Sequence, residues 1–255
     1  MFEIFLIGHL GHQEPQVDSS PKIDSVWRDM YRRDRYARDR VMKSARMLLP
    51  FLSTDDKKPD TILDVGCFTH EARKYFPKAS RYIGIDGKAF HKETKVTDLN
   101  HGFEPIPCNL ALCLETLEHL VDPEDCVLSI KSSLPENGRL VVSLPNEATI
   151  FHRLRCLLGR VDAECFSGEG KHLHLPSLEQ SRQFLARHFE IEKEQYYISP
   201  SGVGSRQVWV GKILGLIPDR IHYILANWKP SLFARGFIFL LRKPQQVSIE
   251  PVPSH

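Results

Sequence analysis

The chain has 255 residues, 42% apolar and 26% charged, with a formal net charge of +2. That balance belongs to an ordinary globular protein, and so small a charge does not by itself point to nucleic acid or an anionic membrane. Its length suits one large domain or one domain with an extension, and no stretch approaches the roughly 20 consecutive apolar residues that cross a bilayer.

Six cysteines occur without a C-x-x-C pair, several inside apolar runs. This reads as reduced, buried thiols in a cytoplasmic protein. The apolar start, Phe2 to Gly8, carries Glu3 and lacks a basic leader, so it does not read as a signal peptide. Residues 1–23, with Gly8, Gly11, Pro15 and Pro21 among polar neighbours, read as an N-terminal arm. Asp24 can cap a helix reaching about Leu52, with Trp27, Met30, Tyr31, Val41, Ala45 and Leu48 broadly at helical spacing. Its other face carries arginines from Arg28 to Arg40, but Asp29, Asp34 and Asp39 interleave with them. A solvated, self-paired face is favoured over a phosphate-binding stripe.

From residue 61 the pattern becomes strand, helix, strand. Strands are expected near 61–65, 81–85, 94–97, 109–113 and 139–143, and helices near 70–76, 122–134 and 177–188. Glu190 to Ile198 reads as a sixth strand and Gly236 to Leu241 as the last. Such alternation argues for a doubly wound, Rossmann-like α/β fold: a mostly parallel seven-stranded sheet with helices on both faces. Residues 24–200 form the core, with the first helix as a lid, and 201–255 a C-terminal extension. In that extension Ile213 to Ile217 and Phe233 to Leu241 are apolar, beside Arg220, Lys229, Arg235, Arg242 and Lys243. Packing against the sheet edge is the ordinary reading, and peripheral contact with a membrane or a partner chain is the other.

Three expected strands end in acids. Asp64-Val65-Gly66-Cys67 closes the first, and its glycine lets backbone N–H groups approach a ligand. Asp86, followed by Gly87, closes the second, twenty residues beyond Gly66, where an acid can accept both ribose hydroxyls. Asp98, followed by Leu99, closes the third and can face an adenine amino group. Apolar strands ending in acids and a glycine describe a nucleotide-type pocket at the strand C-termini. The first turn, Gly66 to Glu71, has no G-x-G-x-x-G, which disfavours a nicotinamide-dependent oxidoreductase.

Residues 61–146 resemble class I S-adenosylmethionine-dependent methyltransferases, the group that includes ubiquinone-biosynthesis O-methyltransferases. Members typically read L-D-V-G-C-G-x-G at the first turn, carry an acid after strand two and a D-L pair after strand three, and continue with an L-E-x-L-E-H-L-like stretch. Here these are Leu63 to Cys67, Asp86, Asp98-Leu99 and Leu114-Glu115-Thr116-Leu117-Glu118-His119-Leu120. Pro135-Glu136-Asn137-Gly138-Arg139-Leu140 stands for the family's P-G-G-x-L. The resemblance implies methyl transfer from S-adenosylmethionine to an oxygen or nitrogen of a small-molecule or glycan- or lipid-linked acceptor. It implies a cofactor set of Asp64, Gly66, Cys67, Phe68, Asp86, Gly87, Asp98, Leu99, Leu114 and Glu115. Gly66 and Cys67 would form the methionine turn, Asp86 the ribose clamp, Asp98 and Leu99 the adenine wall, and Leu114 and Glu115 the floor. Nucleic acid is not expected as a partner.

Two departures stand out. Phe68 and His70 occupy the family's second and third glycine positions. A Cβ there can crowd the cofactor, and a side chain in a positive-φ turn costs about 1 kcal/mol or more. They motivate the alternative of a non-catalytic scaffold on a degenerate methyltransferase fold.

If a helix starts near Glu115, then Glu115, Glu118 and His119 share one face and can hold a divalent cation. This E-x-x-E-H pattern is similar to the metal site of some ubiquinone-pathway and small-RNA 2′-O-methyltransferases, while many relatives with the same letters need no metal. Further on, Lys171, His172 and His174 belong to a loop expected to roof the acceptor pocket. A nucleophilic acceptor needs no base; where one is needed, His119 or His174 is the catalytic candidate.

Overall fold

The computed structural model describes residues 43, 44, 47, 61–75, 81–159, 172–198 and 219–245. The N-terminal arm, most of the expected first helix with Tyr31, the stretch 160–171 and the apolar run 213–217 lie outside the described residues. Within them the strands are β1 (Thr61–Val65), β2 (Arg81–Asp86), β3 (Lys95–Val96), β4 (Leu110–Leu114), β5 (Arg139–Pro145), β6 (Glu190–Tyr197) and β7 (Gly236–Arg242). All seven lie within two residues of their expected bounds. They form one sheet in the order β3-β2-β1-β4-β5-β7-β6. The first five run parallel, and β7 is antiparallel to both its neighbours. The final strand of the extension is therefore inserted between β5 and β6 rather than laid along the edge. Its residues Phe237 to Leu241 are buried.

Strands β1, β4, β5 and β7 are apolar almost throughout because both faces of the sheet are covered. One face carries Leu63, Val65, Ile85, Ala111, Cys113 and Val142 against Cys126, Val127, Ile130 and Leu185. Those last residues come from α1 (Pro123–Ser133) and α3 (Leu178–Ala186). The other face carries Ile62, Tyr82, Leu110, Leu112, Val141, Ile238 and Leu240 against Met47, Ala72 and Tyr75. Asp122 starts α1 by accepting the Glu124 N–H, with Pro123 at the first helical position. Ser177 and Gln180 start α3 as a reciprocal capping box. The remaining α-helices of the described core are α2 (Ile150–Leu157), α4 (Asp219–Trp228) and α5 (Pro230–Phe233). Among the described residues, the helix expected over 70–76 is a 3-10 turn, Glu71–Tyr75, entered from left-handed His70.

Strand order reverses between β1 and β4, and in open α/β sheets ligands bind beside the strand C-termini at such a reversal. At the exit of β5, buried Asn146 donates its amide to the carbonyl of Ala234 at 2.8 Å. That bond pins the chain leaving β5 to the segment that enters β7.

Candidate active site

The turn after β1 adopts the left-handed conformation at Gly66 (φ 72°), Phe68 (φ 43°) and His70 (φ 57°). The backbone path of a glycine-rich turn is thus kept although two of the three residues carry side chains. The N–H groups of Gly66 and Cys67 donate to the carbonyl of Ile85 at 2.9 and 3.1 Å, and the N–H of His70 donates to that of Cys67 at 2.8 Å. Gly66 is required for a second reason: a Cβ there would lie 2.1 Å from Thr116 Oγ1. The Phe68 ring rests on Phe90, centroids 4.5 Å apart.

Asp86 closes β2 half-buried, and each of its oxygens accepts one backbone N–H: Phe68 to Oδ2 at 2.9 Å and Lys88 to Oδ1 at 3.2 Å. Burial raises its pKa, and these N–H groups oppose the rise. Each oxygen keeps a lone pair, so the carboxylate can still accept two vicinal hydroxyls. A Cβ added to Gly87, beside it, would meet nothing within 4 Å. The strand end therefore has both the acceptor chemistry and the open space that a ribose requires.

Asp98 is exposed and accepts the Asn100 backbone N–H at 2.9 Å, while Leu99 is buried in the core. Asp64 is only 4% exposed and accepts the Tyr82 phenol. Burial pushes its pKa up to about 7, against the Tyr82 bond and with a smaller push from the Asp86 charge. Burial, then the charges of Asp64 and Asp86, push the Cys67 thiol far up. It is a neutral wall of the turn and not a nucleophile.

After β4 the structure departs from expectation. No helix begins at Glu115. That residue is left-handed (φ 51°), and its N–H donates to the Ser143 carbonyl at 3.1 Å. Its Oε1 accepts the Tyr197 phenol at 2.6 Å and the Ser143 hydroxyl at 3.3 Å. The following 3-10 turn spans Leu117–His119, with Glu118 1% exposed. The shared face of Glu115, Glu118 and His119 therefore does not form: Glu115 is drawn across β5 to β6. Leu114 is buried beneath it.

The carbonyl of Glu118 accepts the N–H groups of Leu173 and His174 at 2.7 and 3.1 Å. This docks the later loop on the 3-10 turn and brings His172 to His119, edge to face at 4.8 Å. His119 Nε2 lies 3.9 Å from Glu118 Oε1, and His172 Nδ1 lies 3.3 Å from Glu147 Oε1. The His172 contact holds the Glu147 carboxyl below its usual range. His174 is exposed and donates from Nε2 to the Leu120 carbonyl at 2.9 Å. Among the described residues, two groups of three can hold a metal ion: Glu118, His119 and His172, and His70, His91 and Glu93.

Tyr197, Ser143, Tyr82, His91 and Glu147 escaped the reading of the sequence as site residues. Tyr197 contacts Glu115 across 82 positions, and no local pattern announces such a pair. Gly236 makes room for that phenol, since a Cβ there would lie 1.9 Å from the Tyr197 hydroxyl.

A family model described as a methyltransferase domain matches residues 31–193. No curated protein matches significantly. Among solved structures, the chain is similar to a putative methyltransferase from Haloferax volcanii, solved with its Trm112 activator. That match has 12% identity and a TM-score of 0.55, covering 91% of this chain and 98% of the other. A SAM-dependent methyltransferase from Archaeoglobus fulgidus aligns with 15% identity and a TM-score of 0.54, over 85% and 99%. The N-methyltransferase NodS from Bradyrhizobium japonicum, in complex with S-adenosylhomocysteine, aligns with 13% identity and a TM-score of 0.52, over 86% and 92%. At these identities the likeness concerns the fold.

Proposed function

The chain belongs to the class I S-adenosylmethionine-dependent methyltransferases, and from that membership we propose that it methylates an oxygen or nitrogen of a small-molecule or glycan- or lipid-linked acceptor. The observation that carries the reading is Asp86, set at the open end of β2 between the N–H groups of Phe68 and Lys88. In this reading Asp86 takes the ribose hydroxyls. Gly66, Cys67 and Phe68 form the wall at the methionine end, with Asp64 behind them. Gly87, Asp98 and Leu99 border the adenine, and Leu114 and Glu115 lie on the floor.

The cofactor supplies a methyl group on a sulfonium, which is already a strong electrophile. What remains for the protein is to align acceptor, methyl and sulfur and to exclude water. Glu115, fixed by Tyr197 and Ser143, keeps the floor rigid at the strand-order reversal. His119 is the better-placed base, because buried Glu118 stands beside it and can stabilise its protonated form. His174 has its Nε2–H committed to Leu120, so it serves first to hold the loop.

Calorimetric titration of the metal-stripped protein with S-adenosylhomocysteine tests the reading. Micromolar binding at one site is expected. Absence of binding, with and without added magnesium, would return the chain to the scaffold alternative.

A further inference from the structure

The second group of metal-capable side chains lies where the sequence departs from its family. His70, His91 and Glu93 each bring one ligand atom within 4.8 Å of the others. His70 is 7% exposed; its Nε2 is paired with Thr94 Oγ1 at 3.0 Å, while its Nδ1 is buried with no hydrogen-bond partner. Leaving a buried ring nitrogen unsatisfied is costly. So is the left-handed backbone at His70, and strain of this kind collects where it serves a function. Gly84 makes room for the ring, since a Cβ there would lie 2.5 Å from His70 Nε2. The His91 ring faces that of His70 at 4.3 Å and 30°.

A metal ion binds the neutral imidazole, through a ring nitrogen that no other group occupies. Two imidazoles and a carboxylate are borderline donors that suit zinc, cobalt and nickel better than magnesium or calcium.

We propose that His70, His91 and Glu93 form a binding site for a divalent transition metal of the zinc class. The ion ties the turn after β1 to the loop after β2, which run on either side of Asp86. Glu93 also pairs with Arg73, whose charge opposes a cation, so the site is weaker than an all-thiolate zinc centre. It is distinct in place and residues from the group at Glu118, His119 and His172.

Cobalt(II) titration of the metal-stripped full chain, followed by visible absorption and calorimetry, tests the site. A His172→Ala background removes the other group. One equivalent is expected to bind there, giving d–d bands without a thiolate-to-cobalt charge-transfer band. Adding His91→Ala or Glu93→Gln, both at sites outside the core, should weaken binding by about tenfold or more. No cobalt binding, binding indifferent to both substitutions, or a thiolate band would each overturn the proposal. The readout is metal alone, so failure here leaves the methyltransferase reading untouched, and failure of S-adenosylhomocysteine binding leaves this site untouched.

Discussion

The turn after β1 and the cluster beyond β4 lie at the same edge of the sheet, yet they are held in different ways. Around Gly66, Phe68 and Asp86 the contacts are mostly backbone N–H groups meeting carbonyls or one carboxylate. Around Glu115 and His119 backbone bonds dock the 172–175 loop and the end of β4, but the functional side chains are set by other side chains drawn from β5, β6 and that loop. A backbone-built site tolerates a change of side chain so long as φ and ψ survive, which is how Phe68 and His70 can stand at glycine positions. A side-chain-built site has no such latitude, because each partner is a specific atom on another element.

The largest expected effect lies at Asp64, a buried carboxyl behind the backbone-built turn. The folded protein holds a proton on Asp64 up to about pH 7, whereas an unfolded aspartate loses it near 3.9. Between these values folding takes up a proton. Asp64's contribution to stability is therefore full below about pH 4, falls as pH rises to about 7, and is flat above. A shift of that size corresponds to about 4 kcal/mol. Asp64→Asn keeps an acceptor for Tyr82 and removes the titration. Its stability relative to the parent should rise by up to that amount from pH 4 to pH 7 in urea unfolding. A pH-independent difference would mean that Asp64 is ionised in the fold.

On the side-chain-built half the sharpest test is Gly236→Ala. Its Cβ would lie 1.9 Å from the Tyr197 hydroxyl and 2.7 Å from the Leu144 carbonyl. The phenol or the β5–β7 pairing must give way, at a cost of about 3 kcal/mol. Gly87→Ala, which meets nothing within 4 Å, should change stability by less than about 0.5 kcal/mol. Equal effects at the two glycines would erase the distinction between the halves.

The same distinction decides what the sequence reveals. Strands β1, β4 and β5 announce themselves because a parallel strand covered on both faces is apolar along almost its whole length, and Asp86 announces itself because the acid closes the mostly apolar run Tyr82 to Ile85. The fate of Glu115 was not visible. Its spacing to Glu118 and His119 is helical, but the Ser143 carbonyl and hydroxyl take its N–H and bend it left-handed. The tail strand was legible as a strand but not as an inner one, since its neighbours are chosen by long-range packing. His91 carries no local signal, because its relation to His70 arises only when β2 brings two loops together.

Asp86→Ala should weaken S-adenosylhomocysteine binding by roughly 1–3 kcal/mol, the worth of charge-assisted hydrogen bonds to a carboxylate. Calorimetry reads this directly. An unchanged affinity would remove Asp86 from the site and leave the backbone-built half without its ligand chemistry.

The smallest expected effect is the most discriminating for the turn itself. Phe68→Gly relieves a left-handed side chain, worth about 1 kcal/mol or more. It also loses the ring contact with Phe90, worth about 0.5–1.5 kcal/mol, and adds chain entropy to the unfolded state. These terms nearly cancel, so stability in urea should change by less than about 1 kcal/mol. Cofactor affinity then separates two roles for the ring. If Phe68 only crowds the turn, S-adenosylhomocysteine binds the variant as tightly as the parent or more so, which is the outcome expected where the backbone does the holding. If affinity falls sharply while stability does not, the ring packs against the ligand, and this half too depends on a particular side chain.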